Sequence, residues 1–132
     1  VLRCNTLFYE AFNQRDMTLM ESVWMHDGRV RCVHPGWGIL EGWEEVRASF
    51  EKILGSGLAV IEVSDVEPFV ADGEPMAWVT CIEEISYNLE GNIITARAQA
   101  TNIFEKEGGR WLMVHHHASA VPVQLVSEEV LQ

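Results

Sequence analysis

Three consecutive histidines, His115, His116 and His117, lie inside an otherwise apolar run from Arg110 to Ser119. Imidazole titrates near neutrality and also ligates metals, so either proton transfer or ion binding is chemically open to it. Neighbouring side chains on a strand point to opposite faces, so the three cannot act together. At most His115 and His117 could share an ion, and no H-x-x-x-H spacing or cysteine partner completes a ligand set. No metal site is expected. In the preceding run, Ala96 to Lys106, the even positions Ala96, Ala98, Ala100, Asn102 and Phe104 are small or apolar, whereas Arg97, Gln99 and Thr101 are polar. The even face is therefore read as the pocket side. Asn102 is its polar group, an amide able to hold a carbonyl or an oxyanion.

The elements that must position these residues follow from periodicity. From Leu2 to Gln14, Cys4, Phe8, Ala11 and Phe12 recur at helical spacing, which predicts a first helix with one apolar stripe. Asp16 is placed to cap a second helix carrying Met17, Met20 and Trp24, stopped by Asp27-Gly28. Arg29 to His34 reads as a short strand, and Trp37 to Gly42 as an irregular connection. A third helix runs from Trp43 to Leu54, with Trp43, Val46, Phe50 and Ile53 buried and Lys52 outside. Leu58 to Val70, Met76 to Asn88, Asn92 to Lys106 and Arg110 to Ser119 are four β runs joined by short Gly-containing turns, hence an antiparallel meander. Val121 to Gln132 carries no signal that places it.

Composition bounds the function. The chain has 132 residues, enough for one domain spanning the whole length, and its net charge of −11 argues against a nucleic-acid partner. No apolar run approaches the ~20 residues of a membrane helix. Cys4, Cys32 and Cys81 are odd in number and widely spaced, which favours buried thiols in a reduced compartment over disulfides. A cytoplasmic location is expected, or an organelle if a segment ahead of Val1 was removed.

Several of these stretches carry a resemblance. Phe8-Tyr-Glu-Ala-Phe-Asn-x-x-Asp16, Val33-His-Pro-Gly36, Leu40-Glu-Gly42, Thr101-Asn-Ile-Phe104 and Gly109-Arg-Trp-Leu-Met-Val-His-His-His-Ala-Ser119 resemble, in order and spacing, the SnoaL-like branch of the nuclear transport factor 2 superfamily. The last strand is also similar to the association (hub) domain of calcium/calmodulin-dependent protein kinase II. The resemblance implies an α+β, cone-shaped, cystatin-like (NTF2-like) fold, with three N-terminal helices packed on a curved antiparallel sheet and a pocket between them. It implies no single activity, because members include isomerases, dehydratases, cyclases and a non-enzymatic assembly module.

The resemblance also implies which side chains reach the pocket. Val114, His116 and Ala118 form the pocket face of the last strand, while Glu83 and Asn102 stand where the hub has arginines and His34 where it has a glutamate. The hub's anionic ligands are not expected here. His34, Glu83 and His116 are the candidate catalytic residues, and Trp24, Trp37 and Asn102 the candidate ligand-binding ones, with core packing the alternative for Trp24 and Trp78. Such a set suits cofactor-free acid–base chemistry of the isomerase or dehydratase type on a small neutral molecule. The plain alternative is that the four polar groups satisfy one another inside a vestigial cavity. On the outer face, Thr101, Ile103, Trp111, Met113 and His115 would make a patch too apolar for water, and a homodimer through that face is expected. A non-enzymatic assembly module is the second functional reading.

Overall fold

The computed structural model describes residues 1–122; the stretch beyond Pro122 lies outside the described residues. Three helices, α1 (Leu2–Gln14), α2 (Met17–Val23) and α3 (Trp43–Ser56), cover one face of a curved six-stranded sheet. Its strands are β1 (Arg31–Val33), β2 (Leu40–Glu41), β3 (Ala59–Val70), β4 (Met76–Leu89), β5 (Asn92–Glu107) and β6 (Arg110–Ala120), in the order β2-β1-β6-β5-β4-β3. The four long strands form the antiparallel meander. β1 joins β6 in parallel and β2 pairs antiparallel with β1, extending the sheet beyond what hairpin signals reveal. The architecture is the α+β cone implied by the resemblance.

Each helix has a local cause. α1 buries Cys4, Phe8, Ala11 and Phe12, and also the polar Asn5 and Tyr9 on the same side. Asp16 caps α2 by accepting the Leu19 N–H at 3.0 Å. That helix stops at Val23, earlier than the expected Asp27. Trp24 turns extended and bridges to Met113, whose carbonyl accepts the Met25 N–H at 3.0 Å, so sheet bonding overrides helical spacing. Gly42 precedes α3 at φ 88°, a conformation that costs other residues, and Glu45 accepts the Glu41 N–H at 2.9 Å. α3 then buries Val46, Ser49, Phe50 and Leu54. The core between helices and sheet is built on Phe8, Met20, Trp24, Phe50, Phe104 and Met113.

The register of β5 and β6 decides which residues face this core. Asn102 pairs with His116 and Ile103 with His115, but Phe104 then pairs with Met113, leaving Val114 as an extra residue in a bulge. The bulge reverses side-chain parity below it. Met113 is therefore fully buried beside Phe104, and Trp111 pairs with Lys106 and borders the same depression as Cys4, Leu7 and Val23. The expectation that Trp111 and Met113 belong to the outer face is corrected, because simple alternation fails across a bulge. Trp78 is also not core: it lies in register with Ile103 on the outer face and stacks on Phe69, ring centroids 4.5 Å apart. Cys4, Cys32 and Cys81 are all buried free thiols.

Candidate functional site

Between α1, α3 and the concave side of the sheet lies a cavity of about 300 Å³. Apolar and aromatic side chains dominate its wall: Phe8, Phe12, Phe50, Ile53, Ile61 and Ile85 among them. His34, Glu83, His116 and Trp37 also line it. Trp37, 44% exposed, sets its edge against the His34 ring at 4.8 Å between centroids. Trp24 does not line the cavity. It is 2% exposed behind Phe8 and Phe50, with an indole N–H that has no partner among the described residues.

Asn102 is nearby but is not part of the wall. It is completely buried, its Nδ2 donates to Asn5 Oδ1 at 2.8 Å and to the Tyr9 hydroxyl at 3.2 Å, and its Oδ1 lies 2.6 Å from His116 Nδ1. Both amide hydrogens are thus spent, so Asn102 has no donor left for a ligand carbonyl or an oxyanion. Its task is different. Because Oδ1 can only accept, His116 Nδ1 must carry a hydrogen, and in neutral imidazole the lone pair then sits on Nε2. That nitrogen lies 3.9 Å from Glu83 Oε2.

Glu83 is held from the helix side. The Tyr9 hydroxyl donates to Glu83 Oε2 at 2.6 Å and also lies 3.4 Å from Cys81 Sγ. Burial keeps the Tyr9 phenol well above its usual range, which preserves it as a donor. Asn5 and Tyr9 are one helical turn apart on α1, so a single face of that helix orients both walls of the Glu83–His116 pair. Neither residue was singled out in the sequence, although positions 5, 8, 9 and 12 trace one helical face and polar residues on it were the available signal.

Burial sets the protonation of the site. It pushes the Glu83 carboxyl up, with the Tyr9 hydrogen bond opposing, and it pushes the His116 imidazole well down, helped by the neighbouring His34, His115 and His117. Both residues are thus driven toward their neutral forms. His34 directly follows β1, the strand paired alongside β6, its ring centroid 6.3 Å from that of His116, and burial lowers it to about 4. Ser49, unnoticed in the sequence, donates to the Val46 carbonyl at 2.7 Å, so its oxygen accepts from His34 Nε2–H at 3.0 Å. The lone pair of neutral His34 is accordingly on Nδ1. The geometry thus gathers Glu83 and His116 as a close pair, sets His34 on the neighbouring strand's end, places Trp37 at an exposed edge and leaves Asn102 behind the wall.

A model of the SnoaL-like domain matches residues 1–124. The chain belongs to that family. Among solved structures, a candidate dehydratase of the NTF2-like family from Streptomyces avermitilis is 33% identical, with a TM-score of 0.81 covering 91% of this chain and 92% of its own. A candidate calcium/calmodulin-dependent protein kinase type II association domain from Thiobacillus denitrificans is 24% identical, with a TM-score of 0.73 over 90% of this chain and 93% of that one, and shares the fold. The F-box protein SKIP8 of Arabidopsis thaliana is 29% identical over 92% of this chain. The chain spans about half, 49%, of that relative's length. Among the described residues no helix is long and apolar enough to cross a membrane.

Proposed function

We propose that this SnoaL-like domain binds a small, largely apolar molecule in its cavity and moves a proton on it without a cofactor, chemistry of the isomerase or dehydratase type. The observation that carries this reading is the pairing of an imidazole lone pair, His116 Nε2, with the Glu83 carboxyl at 3.9 Å on the wall of an apolar cavity. In such surroundings the imidazole stays neutral and can take a proton, and the carboxyl, raised by burial, can give one. His34, its ring centroid 6.3 Å from that of His116, lines the same cavity. The dehydratase named among the solved structures supports this class of reaction. Tyr9 O–H and both Asn102 amide hydrogens are consumed by bonds within the set, whereas the Nε2 lone pair of His116 has no hydrogen bond among the described residues, which supports this reading.

The test is deuterium exchange from D2O into a panel of small β-hydroxy and β,γ-unsaturated carbonyl compounds, followed by NMR with wild-type protein and Glu83→Gln. Exchange or water loss that falls by about 10²-fold or more in the variant is the expected result. Exchange that is unchanged in Glu83→Gln and in His116→Gln assigns the chemistry elsewhere.

A second reading, a homodimerising assembly module, has its own observations. On the outer face Phe69 and Trp78 stack beside Ile103 and His115, and Phe69 is 50% exposed. The likeness to association domains is in keeping with self-assembly through such a face. Both readings hold together if the dimer leaves the cavity mouth open, since the two sites occupy opposite sides of the sheet.

A further inference from the structure

The hydrogen-bonding capacity of the cavity is one-sided, and this limits what the ligand can present to Glu83 and His116. The donors that meet Glu83 and His116 from behind the wall are spent: Tyr9 O–H on Glu83, both Asn102 amide hydrogens on Asn5 and Tyr9, and His116 Nδ1–H on Asn102. What remains toward the cavity is the lone pair of His116 Nε2 and the Glu83 carboxyl, 3.9 Å apart. Beside them His34 has its N–H committed to Ser49 and so adds no donor. The lining residues with hydrogen to give, Lys52, Trp37 and Tyr87, are exposed or half-buried.

A ligand oxygen ~2.8 Å from both Nε2 and Oε2 fits a 3.9 Å gap as the apex of a triangle. If Glu83 is protonated, that oxygen accepts from the carboxyl and must donate to Nε2. If Glu83 is ionised, it must donate outright. A carbonyl oxygen can do neither second step, because it would face the imidazole lone pair with lone pairs of its own. A hydroxyl satisfies both partners at once when Glu83 is protonated, the form burial favours, and when Glu83 is ionised it still donates to one of them. An ammonium would also donate, but it would bring a full charge into an apolar chamber whose one other charged lining residue besides Glu83 is the cation Lys52.

We propose that the cavity takes a neutral hydroxyl compound, an alcohol or phenol on an apolar frame, with its O–H seated between His116 Nε2 and Glu83. This rests on the reading of the cavity as a ligand site and specifies the group that enters deepest. The aromatic and aliphatic wall accepts the hydrocarbon frame, and any acceptor on the ligand is directed outward to Trp37, Tyr87 or Lys52.

Isosteric probes decide it. Indan-2-ol, indan-2-one, 2-methoxyindane and 2-aminoindane share one frame and differ in the group offered, and their dissociation constants at pH 7 are read by calorimetry. The alcohol is expected to bind roughly fivefold to tenfold more tightly than ketone and ether, the usual worth of one buried donor. Its binding should also shift the His116 Nε2 resonance in ¹⁵N spectra of the unmutated protein, and the ketone should shift it much less. Equal or tighter binding of the ketone or the ether overturns the hydroxyl assignment while leaving the cavity a ligand site, and tighter binding of the amine overturns the neutral class. If none of the four binds, the ligand reading falls with it.

Discussion

At the residue scale, Tyr9, Asn102 and Ser49 matter through what they impose on others. Each fixes where a proton sits on a cavity-lining group, and each is itself buried or nearly so. Tyr9→Phe removes the hydrogen bond that opposes burial at Glu83, so the Glu83 carboxyl should titrate at still higher pH, seen by ¹³C NMR of the side chain. The same change leaves one Asn102 hydrogen unpaired and should cost about 1–3 kcal/mol in urea unfolding. His34 makes a separate prediction. It is 5% exposed and titrates at about 4 when folded, against 6.5 in its ordinary state, so between those values the unfolded chain binds the proton and the native chain does not. Stability is therefore lost as pH falls from 6.5 toward 4, by roughly 3 kcal/mol from this residue. His116, also lowered, adds loss of the same sign, whereas Glu83, raised above 4.5, opposes it by weakening the fold as pH rises. His34→Gln should flatten the decline in unfolding midpoint between pH 6.5 and 4, and an unchanged slope would contradict the assignment.

At the element scale, the bulge at Val114 is what separates the pocket from the outer face. Met113, fully buried against the helices, should cost about 2–5 kcal/mol when replaced by alanine, while Ile103→Ala, half-buried on the other side, should cost clearly less. Equal costs would place both on one face. Much of this arrangement was legible beforehand. Alternation in Ala96–Lys106 and the short Gly turns indicated the meander, and the spacing of Cys4, Phe8, Ala11 and Phe12 indicated α1. What escaped depended on tertiary bonding. The parallel pairing of β1 with β6, the early end of α2 at Val23 and the bulge are each set by main-chain partners far away in sequence, which local periodicity does not record. The site shows the same division. His34, Glu83 and His116 share a cavity as the resemblance implied, but Asn102 proved to be a support, and Trp24 a core residue, once the contacts around them were known.

At the scale of the whole molecule, one sheet carries two different surfaces: a concave side with an apolar cavity, and an outer side with exposed aromatic and aliphatic residues. Self-association through the outer side predicts that Ile103→Lys lowers the sedimentation coefficient toward a monomer while ligand binding persists. His115 lies on that side beside Arg31 and His117, and burial with these neighbours lowers its pKa, so charging it by acidification should weaken association. Sedimentation at pH 5.5 and 7.5 checks this, and identical profiles would remove the histidines from the interface. The chamber itself depends on α1 clamping the sheet through Asn5 and Tyr9, so that one imidazole is held with its lone pair toward a carboxyl. Long-range ¹H–¹⁵N spectra of His116 in the folded protein at pH 7 test that directly. A neutral ring with hydrogen on Nδ1 and an unprotonated Nε2 is the predicted result; hydrogen on Nε2, or on both nitrogens, would contradict it.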